Sequence, residues 1–293
     1  MRKIIVNAPA KINLTLDVTG TDSRGYHTLD MIMHRISLYD KIYITPQKSG
    51  ISLAVSKKGI PCNETNTAFK AAKLFFEYAQ IDGGCDIYLS KHIPAGAGFG
   101  GGSADAAGVL KGLNYIYGAP LSEEALAQIA LKIGSDVPYM LKEGLCRVRG
   151  TGEITEPLPP APQLHLLCAM RCRYGISTQD VYKAYDEIGS SVHPDTEGFL
   201  AALYNNDINA FSQLGGNALS ESAMAILPIT GTALKKLQVA NAKYAAITGS
   251  GSACFGVFSS RGEACRAVKY FGGIWHKVCT TVDSGITVSD TED

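Results

Sequence analysis

The sequence predicts an α+β protein in two lobes, on three observations. Strand-like and helix-like segments interleave through 293 residues, a proline-rich stretch interrupts them past the middle, and a glycine-dense loop runs directly into a helix. At about 100 to 200 residues per domain, this length fits two domains better than one. Hydrophobic residues make up 46% of the chain and charged residues 18%, a balance that supports a buried core and excludes disorder.

The strand-like runs come first. "KIIVNAPAKINLTLDV", "DKIYITP", "GISLAVS" and "CDIYLSKHIP" are rich in Ile, Val and Tyr and often alternate. "NTAFKAAKLFFEYAQ" then sets Phe69, Ala72, Phe76 and Ala79 at helical spacing behind Asn66, a suitable cap. After the glycine loop, Ala106, Leu110, Leu113 and Tyr117 form a second stripe. "LSEEALAQIALKIG" is punctuated by Ser122 as cap, a Leu121 and Leu126 staple, and Gly134 as stop.

"EPLPPAPQ", with four prolines in eight residues, marks a domain boundary, so the expected domains are residues 1–157 and 163–293. Beyond it lie the strand "LHLLCAM", helices around 182–187 and 198–210, and a strand pair within "YAAITGSGSACFGVF". A further helix and the strand "KVCTTVD" close the pattern.

Lys plus Arg and Asp plus Glu both total 27, so no net field draws the chain to nucleic acid or an anionic membrane. The eight cysteines, Cys62, Cys85, Cys146, Cys168, Cys172, Cys254, Cys265 and Cys279, contain no C-x-x-C pair, which argues against zinc and against a disulfide framework. Strand-like residues begin almost at once, so no signal or transit peptide is expected, and no apolar run approaches the roughly 18 residues of a membrane span. A cytoplasmic protein, monomeric or weakly dimeric, is expected, with a small-molecule substrate as its partner.

The loop Pro94-Ala95-Gly96-Ala97-Gly98-Phe99-Gly100-Gly101-Gly102-Ser103-Ala104 carries the chemistry. It contains G-x-G-x-x-G, but a dinucleotide fold needs a second strand with an acidic end after the helix, and here another helix follows. It lacks the lysine of a G-x-x-x-x-G-K-[ST] loop. What remains is a set of backbone N–H groups converging at a helix N-terminus that begins near Ser103, which suits a phosphate. In "NAPAKINLTLDV", Lys11 and Asn13 share one strand face while Ile12 and Leu14 take the other. A second glycine-serine turn, Gly249 to Ser252, is bracketed by apolar strands and is expected to line the same cleft.

Together "NAPAKINLTLDV", "IPAGAGFGGGSADAA" and "ITGSGSACFGVF" resemble, in order, the signature motifs of the GHMP kinases, the superfamily of galactokinase, homoserine kinase and mevalonate kinase. "GYHTLD" and "IGSDVPYML" resemble the branch that phosphorylates the tertiary 2-hydroxyl of a cytidine-diphosphate methylerythritol in the non-mevalonate isoprenoid pathway. The resemblance implies an N-terminal ATP-binding domain like domain 2 of ribosomal protein S5. A ferredoxin-like C-terminal substrate-binding domain would follow, with the active site between them. It implies ATP as cofactor, and such a transfer calls for Mg²⁺ on the β- and γ-phosphates; the sequence shows no dedicated carboxylate cage for the metal, and Ser103 is a candidate contact.

By the same resemblance Asp136 is the general base and Lys11 its electrostatic partner. The residues of the loop from Pro94 to Ala104 hold the triphosphate, and Asn66 and Lys91 contact the adenosine side. Phe99 stands where the family more often has leucine. Tyr26 and Tyr182 would sandwich cytosine, His27 would read its Watson-Crick edge, and Asn13 and Thr178 would contact the diphosphate or methylerythritol. Each has an ordinary structural use as well: a helix cap for Asp136, an edge-strand charge for Lys11, a packed turn for Tyr26 and His27. Another small-molecule GHMP kinase, for homoserine or mevalonate, would share the loop but lack "GYHTLD". A silent nucleotide or sugar sensor would have lost Lys11 or Asp136, and both are present.

Overall fold

The computed structural model describes residues 3–171 and 175–291, so Cys172 lies outside the described residues. The first lobe is built on β1 (Ile4–Thr21) and β2 (His27–Gln47), a long antiparallel hairpin. Ile4, Val6, Ala8, Ala10, Ile12 and Leu14 alternate along β1 onto the helix-covered face. Only 40–46 of β2 was expected as strand; the strand starts at His27 because Met31, Ile32, Met33, Ile36 and Leu38 are buried along it without a turn residue.

β3 (Gly50–Val55) crosses through α1 (Thr67–Ala79) to β4 (Gly84–Ser90), its parallel neighbour. The buried stripe of α1 is Ala68, Ala71, Ala72 and Phe75, one residue earlier than the spacing from Phe69 suggests. Phe76 turns instead to the flank, edge-on to Tyr117. α2 (Gly101–Ile116), α3 (Glu123–Ile133) and the short α4 (Val137–Leu141) follow, and then β5 (Leu145–Gly150) and β6 (Ile154–Pro157) extend the sheet from β2. Ser122 caps α3 by accepting from the Ala125 N–H, as its sequence requires. α2 lies close on the sheet: a Cβ at Gly108 would stand 2.4 Å from the Ile42 Cδ1. That close contact fixes where the α2 N-terminus points.

In the second lobe come β7 (His165–Met170), α5 (Thr178–Ile188), α6 (Thr196–Tyr204) and α7 (Phe211–Leu214). The helix expected over 198–210 is broken after Tyr204, where Asn205-Asn206-Asp207 takes the chain out of helix with Asn206 at φ 55°. The chain goes on through β8 (Gly216–Asn217), α8 (Ser220–Ile226), α9 (Thr230–Val239), β9 (Tyr244–Ile247), β10 (Cys254–Phe258), α10 (Arg261–Ala267), β11 (Trp275–Thr280) and β12 (Thr287–Asp290).

Antiparallel β11-β7-β10-β9 form the second sheet, the ferredoxin-like order. β8 and β12 return to the first sheet on β1, so the lobes are tied by backbone as well as by packing. The Tyr244 hydroxyl donates to the Leu14 carbonyl across the same junction at 2.7 Å.

Candidate active site

β4 delivers the chain to the glycine loop over a buried charge cluster. Asp40 on β2 accepts from the His92 and Ile93 N–H groups, and the Lys91 ammonium sits between the carboxylates of Asp40 and Asp105. Burial works against the Lys91 charge, yet the two carboxylates outweigh it and raise its pKa. One cation serves two acids, and burial pushes Asp105 up to about 7.

The loop itself is stitched on both sides. Lys11 N–H donates to the Phe99 carbonyl at 3.0 Å, and Ala253 N–H to the Ala97 carbonyl at 3.0 Å. A Cβ at Gly98 would stand 2.0 Å from the Thr248 carbonyl oxygen. The glycine there makes room for the protein's own turn, and backbone is left to line the cavity. Gly100, at φ 71°, begins α2 with no side-chain cap and no acidic residue in the first turn. The helix therefore offers its first N–H groups to whatever occupies the space in front. It starts two residues before Ser103. Phe99 is fully buried and packs on Trp275 of β11, ring centres 5.9 Å apart, so the large ring anchors the loop to the second lobe.

Lys11 is buried, and its Nζ donates to Asn13 Oδ1 at 2.8 Å and lies 3.4 Å from Asp136 Oδ2. Asn13 Oδ1 also accepts from the Gly249 N–H at 2.9 Å, which joins β1 to the second glycine-serine turn. Asp136 occupies the cap position of α4, but its side chain makes no cap hydrogen bond. Its carboxylate is one-third exposed and turned to Lys11.

At the other end of the cleft, Thr178 Oγ1 meets Ser250 Oγ at 3.0 Å, pinning α5 to the turn. His27 stacks on Tyr182, ring centres 4.8 Å apart and planes 19° from parallel, and its Nε2 lies 2.7 Å from Asp186 Oδ1. Burial, with Asp136 and Tyr185 adding to it, keeps the Tyr182 hydroxyl protonated. Tyr26 is 62% exposed, with Arg24 over its ring at 5.4 Å. The structure thus brings His27 and Tyr182 together but leaves Tyr26 apart from them.

A single cavity of about 880 Å³ joins these parts. Lys11, Asn13, Tyr26, His27, Asp136, Thr178 and Tyr182 line it together with Gly96, Ala97, Gly98, Gly100, Gly101, Gly102 and Ser103. The pattern of the GHMP kinases N terminal domain matches residues 66–144, and that of the GHMP kinases C terminal matches 199–273. This chain belongs to the GHMP kinases.

Among its relatives in that family is a 4-diphosphocytidyl-2-C-methyl-D-erythritol kinase of Clostridium novyi (strain NT), 37% identical over 274 residues, which are 94% of this chain and 98% of the relative. A protein of the same name from Syntrophomonas wolfei is 38% identical over 92% of this chain and 94% of its own. A crystal structure of 4-(cytidine 5'-diphospho)-2C-methyl-D-erythritol kinase superposes with a TM-score of 0.80 at 31% identity, covering 94% of this chain and 98% of that one. Homoserine kinase from Cytophaga hutchinsonii shares the fold, with a TM-score of 0.77 at 19% identity over 98% of this chain and 97% of its own.

Measured against this GHMP kinase frame, several expected contacts lie off the cavity. Asn66 caps α1, accepting from the Ala68 N–H, and its amide donates to the Pro61 carbonyl at 2.7 Å. Its neighbour Thr67 reaches the loop instead, donating to the Gly102 carbonyl at 2.8 Å. Lys91 is committed to its two carboxylates beneath Gly101. Pro94, Ala95, Phe99 and Ala104 support the loop without lining the cavity.

Lys183 and Asp186 line it and were not singled out in the sequence, whereas Gly249 and Ser250 line it from the turn that was. Asp186 follows Tyr182 by four residues, so the helical repeat from Thr178 would have found it. Among the described residues no group of three or more His, Cys, Asp or Glu is arranged to hold a metal.

Proposed function

We propose that the chain catalyses phosphoryl transfer from ATP to the 2-hydroxyl of 4-(cytidine 5'-diphospho)-2-C-methyl-D-erythritol, a step of the non-mevalonate route to isoprenoid precursors. The observation that carries this reading is the Lys11 and Asp136 pair, 3.4 Å apart, facing the uncapped N-terminus of α2 within one cavity. ATP supplies the γ-phosphoryl group and ADP as leaving group. Mg²⁺ bound with the ATP phosphates would supply charge neutralisation at the transferring group. The Ser103 hydroxyl, which lines the cavity at the head of α2, would contribute an oxygen to that ion's shell.

Asp136 accepts the proton of the acceptor hydroxyl as its oxygen bonds to phosphorus. Lys11, oriented by Asn13, faces that carboxylate and the charge that develops on the oxygen. Backbone N–H groups from Gly100 to Ser103 hold phosphate oxygens. Residues 1–157 supply the nucleotide loop and the catalytic pair, and residues 163–293 supply Thr178 and Tyr182 on the substrate side. Asn13, Tyr26 and His27 reach that side from the first sheet.

Bringing His27, Tyr182 and Thr178 into the same cavity favours a cytidyl substrate over a small free alcohol. The intact Lys11 and Asp136 pair favours an enzyme over a silent sensor. We place the reaction in the cytoplasm and assign it to a monomer or weak dimer. Among the described residues no helix is long and apolar enough to cross a membrane.

The test is a coupled assay of ADP release with the cytidyl substrate, homoserine and mevalonate offered separately. Turnover only with the cytidyl substrate is expected. Turnover only with homoserine or mevalonate overturns the reading.

A further inference from the structure

The nucleobase end of the cavity holds a carboxylate that the proposed transfer does not use. Asp186 lies one helical turn beyond Tyr182 and two beyond Thr178 on α5, so the three side chains share a face. Its Oδ1 is 2.7 Å from His27 Nε2. A carboxylate only accepts hydrogen bonds, so the proton of this contact is on Nε2. The imidazole is gripped on two further sides, its face against Tyr182 and its edge against Tyr185, ring centres 5.8 Å apart at 89°. Nδ1 has no hydrogen-bond partner among the described residues, and His27 lines the cavity.

We propose that Asp186 is a specificity-determining positioning residue. By fixing His27 as the Nε2–H tautomer, it presents Nδ1 as a hydrogen-bond acceptor, so the site takes a base with an exocyclic amino group and rejects one with a carbonyl there. The inference rests on the cytidyl substrate proposed above, and cytosine differs from uracil at that position. The amino group of cytosine donates to Nδ1. The corresponding carbonyl of uracil would set two acceptors against each other, leaving both unpaired. The stack of His27 on Tyr182 gives the ring little freedom to turn its other nitrogen to the base.

Two measurements on the full chain test this. Nitrogen-15 spectra of the His27 imidazole should show Nε2 protonated and Nδ1 bare at neutral pH, and Asp186→Leu should abolish that signature. The same variant should lower the ratio of kcat/KM for cytidine-diphosphate over uridine-diphosphate methylerythritol by about tenfold or more, the scale of one base-edge contact. A proton on Nδ1 in the wild-type protein, or a ratio unchanged in Asp186→Leu, overturns the inference while the kinase reading stands. A wild-type protein that turns over neither substrate overturns both.

Discussion

Arg35 and Asp136 hold opposite ends of one short helix. Asp136 stands at the start of α4, at the cavity, and the fully buried guanidinium of Arg35 donates to the Tyr139 and Lys142 carbonyls at 3.1 and 2.9 Å at the far end. Arg35 also lies over the Tyr139 ring at 4.6 Å, and no carboxylate is paired with it among the described residues. Burial lowers its pKa, and the carbonyl oxygens it gathers hold it in place. Arg35→Met should cost on the order of 3 kcal/mol of stability by orphaning those carbonyls. It should also lower kcat more than it alters the KM for ATP, because α4 aims the base and not the nucleotide. A denaturation midpoint and kcat equal to wild type would refute this role.

Asp136 itself makes a sharper test. Asp136→Asn preserves shape and removes the proton acceptor, so kcat should fall by about 10²- to 10⁴-fold. ATP binding by calorimetry should stay within a few-fold, since the nucleotide loop is built from other residues. A variant with near wild-type turnover would require another base.

How much of this was readable from the sequence depends on the range of each interaction. The loop and the α2 start were legible because glycine density and apolar periodicity are local signals. Lys11 stood out as a lysine in an apolar strand. Arg35 sits in an equally apolar stretch of β2, "MIMHRISLY", and the same reasoning would have marked it. Lys91 was misleading because its partners are Asp40 on another strand and Asp105 inside α2, contacts that spacing does not reveal. β8 and β12 are two- and four-residue strands that exist only because β1 offers them an edge.

His34, next to Arg35, predicts an acid-sensitive fold. Burial lowers its pKa from 6.5 to about 4, and neither ring nitrogen has a hydrogen-bond partner among the described residues. The unfolded chain therefore binds a proton more readily than the folded one. The stability is fully present above pH 6.5 and is lost as pH falls from there toward 4. The loss from this group is about 3 kcal/mol at most. Urea midpoints for His34→Leu should fall less steeply over that window than those of wild type, and parallel slopes would exclude His34 as the cause.

Phe99 and Trp275 make a built-in probe, because the chain has one tryptophan. Phe99→Ala should destabilise the protein by about 3–5 kcal/mol, the usual cost of emptying a buried aromatic site. It should also loosen the nucleotide loop, raising the ATP dissociation constant. ATP titrated into wild type should change the Trp275 emission, since the ring behind the loop rests on the indole. No fluorescence response to saturating ATP would show that the loop binds without disturbing that contact.

Lys183 carries the last prediction. The cavity brings together two lysines and two aspartates, but Lys11 is paired with Asp136 and Asp186 with His27. That leaves the Lys183 ammonium as the cavity-lining cation without a partner among the described residues. It stands on α5 one residue past Tyr182 and lines the same cavity, within which the diphosphate of a cytidyl substrate must lie. Lys183→Gln should raise the KM for that substrate about tenfold, the scale of a hydrogen bond to a charged group, with little change in the KM for ATP. The salt dependence of kcat/KM should shrink in the variant, because an exposed charge acts over a Debye length of about 8–10 Å. Equal salt slopes in the two proteins would place the diphosphate elsewhere in the cleft.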